Sequence, residues 1–527
     1  MYFGRVSFIL YTLFHTIRYV HGHVETIHRY GRYLFFSNGT QFFVKGVAYQ
    51  QPLPHGYDGH YVDPLANSRA CTRDLKLFLE LGINTVRVYT IDPFLDHSYC
   101  MNLFAKNGIY VILDLSEPRN SIISTSPSWD VSLFLRYSQV IDSMHHYPNL
   151  IGFFAGNEVV LDTGNTHAAA FVKAAIRDTK AYIRHKHYRK ILVGYAANDH
   201  QHTRIPSANY FACGDDSIAA DFFGINIYEW CEPTTFETSG YKDRVQDFLG
   251  YNIPLILSEF GCNIVNGKLG TRTFKQIRYL YSDKMTSVFS GGIVYEWYHN
   301  VNSYGLVIIH NDDSVSPRED YHHLKNQLSL VNPKLLTSSK YTPTEQPPEC
   351  PVNNQHWSVS TNLPPVPNSE LCACASSASS CVSVSDISDN EMADIFSYIC
   401  SEIDCRAISK NGQTGIYGAY SVCLPRDQLN VILGLYHRKH NRDSACFFKG
   451  SAFVTTPRSS KSCSSLLRIA GEDGSGSISG PPYVTTHVPD TDGKDKDESS
   501  GKNIYFKWEL LLGICTIFIG IAFFITA

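Results

Sequence analysis

The chain reads as an α/β protein: a (β/α)8 barrel followed by a small disulfide-rich C-terminal module. Three observations predict this. Eight short apolar, β-branched runs recur between residues 42 and 298, separated by longer stretches of helical period. Eight of the fifteen cysteines crowd between Cys372 and Cys463. Proline-rich sequence separates the two regions. Near-continuous apolar runs signify strands buried on both faces, as in a parallel sheet. Eight βα units over this length suit a closed barrel. An open doubly wound sheet is the alternative, but no glycine-rich phosphate turn follows the first run.

The elements follow in order. Residues 1–22, with Arg5 before a short apolar run interrupted by His15 and Arg18, are expected to be a signal peptide cut after Gly22. Residues 23–340 form the expected barrel. Its strands are FFVKGVAYQ (42–50), TVRVY (85–89), YVILDL (110–115), LIGFFAGNE (150–158), ILVGYAA (191–197), FFGINIYEW (222–230), PLILSEF (254–260) and GGIVYEWY (291–298). Between the first two, SRACTRDLKLFLELG places Leu75, Phe78 and Leu79 at helical spacing and ends on Gly82, a natural helix stop. Residues 341–369, with YTPTEQPPECPVNN and TNLPPVPNS, have linker composition. Residues 370–465 hold the cysteine module, whose density is that of a fold stapled around a thin core. Cys372-Ala373-Cys374 is too closely spaced for a zinc-ribbon pair. Residues 466–500 read as a flexible Ser/Gly/Asp stalk. Residues 501–527 carry a polar spacer and an apolar run from Leu510 to Ala527, the order of a GPI-attachment signal, with Ser499 or Ser500 as the attachment residue. A single spanning helix is the alternative.

A formal net charge of -4 with 18% charged residues leaves no excess basicity for a phosphate backbone, which excludes nucleic acid as a partner. The cysteines, fourteen without Cys515, imply disulfides and an oxidising compartment. Asn38-Gly39-Thr40 is a glycosylation sequon on a turn. The pairs His145-His146, His200/His202 and His322-His323 lack any HExxH arrangement, so no metal and no cofactor are expected.

Barrel chemistry sits at the carboxyl ends of the strands. Gln50, Arg87, Tyr89, Asp114, Asn157 with Glu158, Asn226 with Tyr228, Glu259 and Tyr295 all lie where an apolar run ends. Glu158 and Glu259, three strands apart in a ring of eight, are the pair that glycoside chemistry needs: one acid protonates the leaving oxygen, and the other attacks the anomeric carbon or activates water. Asn157 is placed to bond a sugar 2-hydroxyl. Arg87 and Tyr228 are placed to hold the nucleophile ionised.

The strand ends GNE and SEFG, together with FFVKGVAYQ, RVYT, FVKAAIRD, YFACGDD, INIYEW and SGGIVY, resemble the GPI-anchored fungal β-1,3-glucanosyltransferases, glycoside hydrolase family seventy-two, over about residues 23–350. The module with CAC and cysteines at 381, 400, 405, 423, 446 and 463 resembles the glucan-binding domain that one subgroup appends. The resemblance implies a retaining mechanism with Glu158 as acid/base and Glu259 as nucleophile. It implies that Gln50, Tyr89, Asp114, Asn157, Tyr228, Tyr295 and Tyr304 line the donor and acceptor subsites, with Arg87 and Asn226 in support. It further implies bridges Cys71–Cys100, Cys213–Cys350, Cys231–Cys262, Cys372–Cys423, Cys374–Cys463, Cys381–Cys446 and Cys400–Cys405. Donor and acceptor β-1,3-glucan chains are then the partners of a monomer held to the outer membrane face by a GPI lipid.

Two segments depart from the family pattern. YEWYHNVNSYGLV has His299-Asn300 where relatives carry paired acids and Trp297 where a tyrosine is common. The loop QPLPHGYDGHY after Gln50 is rich in proline and histidine. Both are expected at the cleft rim, where acceptor preference is set. Whether the intermediate passes to sugar or to water is a matter of subsite affinity that residue types do not determine. Hydrolysis and non-catalytic glucan binding are the alternatives.

Overall fold

The computed structural model describes residues 24–51 and 61–478. The expected signal peptide 1–22, most of the loop after Gln50, the later part of the stalk, Ser499, Ser500 and the segment 501–527 lie outside the described residues.

Eight parallel strands close into a barrel in chain order. They are β1 (Val44–Ala48), β2 (Thr85–Val88), β3 (Tyr110–Asp114), β4 (Leu150–Asn157), β5 (Leu192–Asn198), β6 (Phe222–Ile227), β7 (Leu255–Phe260) and β8 (Phe289–Val294). Each falls within or across one of the eight apolar runs. β8 closes the ring on β1, with Gly291 opposite Val44. Helices α1 (Ser68–Leu81), α2 (Ser98–Lys106), α3 (Val131–Met144), α4 (Ala169–His185), α5 (Arg204–Ala212), α6 (Tyr241–Asp247), α7 (Gln276–Leu280) and α8 (Glu319–Ser329) accompany them. The local signals act as their chemistry dictates. Asn67 caps α1 by accepting from the Ala70 N–H, and Gly82 ends it with a left-handed φ of 77°.

Two apolar layers result. Val44, Ile112, Phe154, Leu192, Phe222, Ile256 and Ile293 form one cluster with Ile27, Leu34 and Phe42, which belong to a small antiparallel sheet before β1. That sheet packs on the barrel's interior residues. Strand residues of the opposite phase, such as Val86, Leu113, Phe153 and Leu257, pack with the helices. Gly194 shows how tightly the strands meet: a Cβ there would lie 2.5 Å from the Phe222 carbonyl oxygen.

The module contains α9 (Ser369–Ser377), α10 (Asp389–Glu402), α11 (Pro425–His440) and α12 (Lys461–Ala470), with Cys381–Ser383 paired antiparallel to Ala452–Val454. Disulfides join Cys372 to Cys423, Cys374 to Cys463, Cys381 to Cys446 and Cys400 to Cys405 here. Others join Cys71 to Cys100, Cys213 to Cys350 and Cys231 to Cys262 in the barrel region.

Two composition-based boundaries need correction. The module does not end at residue 465: α12 continues through Ala470, and Ala470 and Ile478 are buried in its core. Nor is the proline-rich segment 341–369 a free spacer. Trp357 is fully buried against Tyr210 with ring centroids 5.6 Å apart, Cys350 is bonded to Cys213, and Arg177 donates to the Pro364 carbonyl at 2.9 Å. Aromatic anchors and a covalent tie override the local composition. The module also meets the barrel directly, with the Val131 N–H donating to the Val422 carbonyl and Phe171 against Tyr417. No helix among the described residues is long and apolar enough to cross a membrane.

Candidate active site

Glu259 lies on β7 and is 8% exposed. Strict alternation along the strand places Ile256 in the interior cluster and Leu257 among the helices, which would send residue 259 outward with Leu257. A register irregularity against β6 between Leu257 and Glu259 breaks that alternation. Such irregularities re-aim side chains beside active sites. The carboxylate then meets three donors. Arg87 Nη1 lies 3.2 Å and the Tyr89 hydroxyl 2.8 Å from Oε1, while the Tyr228 hydroxyl lies 2.8 Å from Oε2.

Glu158 follows the last residue of β4, beside a second irregularity between Phe154 and Asn157. Its φ is 48°, the left-handed region that non-glycine residues enter only when their surroundings hold them. The hold comes from its own N–H, which donates to the Ala196 carbonyl at 2.8 Å. The next turn is fixed by the Val160 N–H on the Tyr195 hydroxyl at 3.0 Å. Glu158 is half-buried, and Asn226 Nδ2 donates to its Oε1 at 3.0 Å.

Arg87, completely buried on β2, organises the floor. It makes a two-point bond to Asp114 at 3.0 and 2.8 Å and donates to Asn157 Oδ1 at 2.9 Å and to the Ser258 carbonyl at 3.1 Å. Burial opposes its charge, but Asp114 and Glu259 hold the guanidinium well above its ordinary value. Burial likewise pushes the Glu259 carboxyl up, and the Arg87 charge with the Tyr228 and Tyr89 hydroxyls pulls it back toward the ionised form; the charge of Glu158 pushes it up again. The two glutamates therefore interact across the mouth. Asp114, also raised by burial and held down by Arg87, is committed to the ion pair. Replacing Arg87 by Ala leaves two buried carboxylates without their cation. The expected loss is about 3–5 kcal/mol in urea unfolding, together with at least a hundredfold in kcat/KM, about 2.7 kcal/mol.

The other expected positions are placed as follows. Gln50 accepts from the Tyr89 and Thr90 N–H groups and donates to the Val62 carbonyl, so it fixes the loop that carries Tyr89. Asn226 is itself oriented by the Ser258 hydroxyl, 2.7 Å from its Oδ1. Tyr228, Tyr295 and Tyr304 form an edge-to-face triad with centroids 5.3–6.3 Å apart. One expectation needs correction: Trp297 is not at the rim but fully buried, 4.5 Å from the Phe78 ring. Its large apolar surface is satisfied behind β8. Among the described residues no cluster of three or more His, Cys, Asp or Glu side chains is arranged to hold a metal ion.

Two residues were not anticipated. Arg272, 2% exposed and paired with Asp320 at 2.6 Å, donates to the Tyr295 carbonyl at 2.6 Å and to the Tyr304 carbonyl. No local pattern marks it, because its partners are distant in sequence. Glu296, 6% exposed, accepts at Oε1 from Asn300 Nδ2 at 2.9 Å and Asn302 Nδ2 at 2.8 Å. It had a readable signal, being a carboxylate just beyond a barrel strand. An acid at position 300 would face this carboxylate; Asn300 supplies a donor instead.

Known proteins resemble the chain over most of its length. The family model described as glucanosyltransferase matches residues 17–332, and the X8 domain model matches residues 379–453. The chain is 44% identical over 457 residues to pH-responsive protein 2 of Candida albicans, covering 86% of this chain and 83% of that protein. It is 44% identical over 461 residues to the 1,3-beta-glucanosyltransferase gas1 of Schizosaccharomyces pombe, covering 86% and 84%. A solved structure of a Saccharomyces cerevisiae Gas2p mutant in complex with laminaritetraose and laminaripentaose superposes with a TM-score of 0.76 at 41% identity, over 84% of this chain and 98% of that one. With its eight-stranded barrel, two glutamates at one mouth and this length of match, the chain belongs to the glucanosyltransferase family.

Proposed function

We propose that the chain is a retaining β-1,3-glucan transglycosylase, and that Glu259 and Glu158 carry the reaction. Glu259 attacks the anomeric carbon of an internal β-1,3 linkage. The bond from that carbon to the leaving oxygen breaks, and Glu158 gives its proton to the departing chain. Glu158 then takes the proton of a hydroxyl at the non-reducing end of a second glucan. That oxygen attacks the same carbon and Glu259 leaves, so two inversions restore the β configuration.

The observation that carries this reading is the difference between the two carboxylates. Glu259 is buried and ringed by three donors that favour its ionised form, one of them a guanidinium. Glu158 is half-buried with one amide donor, free to exchange a proton with a substrate oxygen. Asn157, its Oδ1 engaged by Arg87 and Asn226, offers its amide nitrogen to the 2-hydroxyl of the reacting sugar. Tyr295 and Tyr304 offer ring faces and hydroxyls to the flanking sugars. The names of the relatives and the oligosaccharides held by the Gas2p mutant support β-1,3-glucan as substrate and transfer as the outcome. The protein works outside the cell, in keeping with the seven disulfides among its described residues, as a monomer tied to the membrane by a GPI lipid at Ser499 or Ser500 and glycosylated at Asn38.

The test is product length. With reduced β-1,3-gluco-oligosaccharides, products longer than the substrate are expected. Shorter products alone would make the protein a hydrolase, and no turnover would leave a glucan-binding protein.

A further inference from the structure

Glu296 has no role in the two-step reaction, yet it lies within electrostatic reach of the nucleophile. It pins a loop. Both Asn300 and Asn302 donate to its Oε1, and Asn302 Nδ2 also lies 3.4 Å from the Tyr295 hydroxyl. Asn300 Oδ1 accepts the Asn302 N–H at 2.8 Å, and Asn302 Oδ1 accepts the Tyr304 N–H at 3.0 Å. Residues 300–304 are thus folded onto one buried carboxylate, and Val301 at their tip is 86% exposed.

The loop's purpose can be traced inward. Tyr304 packs edge-on against Tyr228 at 5.6 Å, and Tyr228 donates its hydroxyl to Glu259. Arg272 grips the Tyr295 and Tyr304 carbonyls from behind, its own charge matched by Asp320. Glu296 is therefore linked through amides and rings to the group that orients the nucleophile. We infer that Glu296 is a positioning residue: its carboxylate ties the 300–304 loop, and with it the Tyr304–Tyr228 wall, in the geometry that binds glucan and aims Tyr228 at Glu259. The inference rests on the reading of Glu259 as nucleophile.

The titratable groups that face Glu296 are Glu259 from β7 and Tyr295 and Tyr304 from its own segment. Burial pushes the Glu296 carboxyl up to about 7; the Asn302 and Asn300 amides oppose this and the Glu259 charge adds to it. An ionised carboxylate accepts amide hydrogen bonds more strongly than a protonated one. That gain is outweighed by burial, which raises the carboxyl overall: a loop opened to water returns it toward its ordinary range, so closure is favoured at low pH and weakens as pH rises through about 7, and the apparent KM for laminari-oligosaccharides rises with it.

The experiment compares the native protein with Glu296→Gln and Glu296→Ala by two readouts. One is apparent KM and kcat on laminari-oligosaccharides. The other is the rate of elastase cleavage at Val301, mapped by mass spectrometry, since elastase accepts small aliphatic residues and cutting tracks loop opening. Glu296→Ala is expected to speed cleavage at Val301 and raise apparent KM about tenfold. Glu296→Gln, which keeps an acceptor oxygen, restores slow cleavage and most of the affinity, but loses the pH dependence of KM near 7. A native-like Glu296→Ala overturns the inference. So does a variant that loses activity while Val301 stays protected, because Glu296 would then act on the sugar directly. If circular dichroism shows Glu296→Ala unfolded, Asn302→Ala cuts the same tie from the loop side and is judged by the same readouts. Should the native protein turn over no glucan, the reading of the site fails, and cleavage at Val301 still decides whether Glu296 holds the loop.

Discussion

Glu259→Gln is expected to lower kcat/KM on β-1,3-gluco-oligosaccharides by about ten-thousandfold or more while leaving thermal unfolding close to native. The magnitude follows from what is removed. A carboxamide cannot form the glycosyl ester, so the covalent route closes, and a ten-thousandfold loss corresponds to about 5.4 kcal/mol of transition-state stabilisation. The shape is retained because the amide occupies the same volume and its oxygen can still accept from a tyrosine hydroxyl. Arg87 keeps Asp114, its two-point partner, so the floor does not lose its principal ion pair. Burial of an ionised carboxylate is costly even when it is paired, and removing the charge offsets the lost bond from Arg87. Residual turnover within tenfold of native would show that Glu259 is not the nucleophile.

Glu158→Gln should fail differently, and the difference separates acid/base from nucleophile. On a natural β-1,3 linkage the leaving sugar oxygen needs a proton, so kcat/KM falls about a thousandfold or more. On an aryl β-glucoside oligomer, whose leaving group departs as a stable phenolate, the first step survives. The second step still lacks its base. The glucosyl-enzyme then accumulates and is found as a mass increase on the peptide carrying Glu259. Azide, which needs no deprotonation, should release it as the β-glycosyl azide and restore turnover. If no adduct accumulates and azide does nothing, Glu158 is not the shared acid and base. The geometry favours rescue, since Glu158 is half-buried and its single amide contact from Asn226 can remain with glutamine in place.

Much of the architecture was legible in the chain because it is written in local chemistry. The eight strands announce themselves by apolar runs buried on both faces. Gly82 marks the end of α1 through a backbone preference that operates without tertiary help. Glu158 and Glu259 were visible as carboxylates ending apolar strands, a costly place for a charge without a use or a partner. What sequence could not decide was which way those carboxylates face. Residue 259 turns into the mouth through a register irregularity between β6 and β7, a property of two strands meeting and not of either alone. Glu158 depends on a left-handed backbone held by the Ala196 carbonyl of the neighbouring strand.

The same reason explains the misjudged positions. Trp297, a rim residue by its place in the pattern, is taken into the core by Phe78, more than two hundred residues earlier in the chain. The proline-rich segment after residue 340 is pinned by Trp357 and by the Cys213–Cys350 bridge, although its composition favours an extended spacer. Glu296 was overlooked because its meaning lies in Asn300 and Asn302 folding back on it. Sequence by itself determined the strands, the helix stops and the chemical types available at the mouth, since these depend on neighbours along the chain. The tertiary structure alone decided the pairing of charges and the aim of side chains, because both depend on distances between residues that only closure of the barrel brings together.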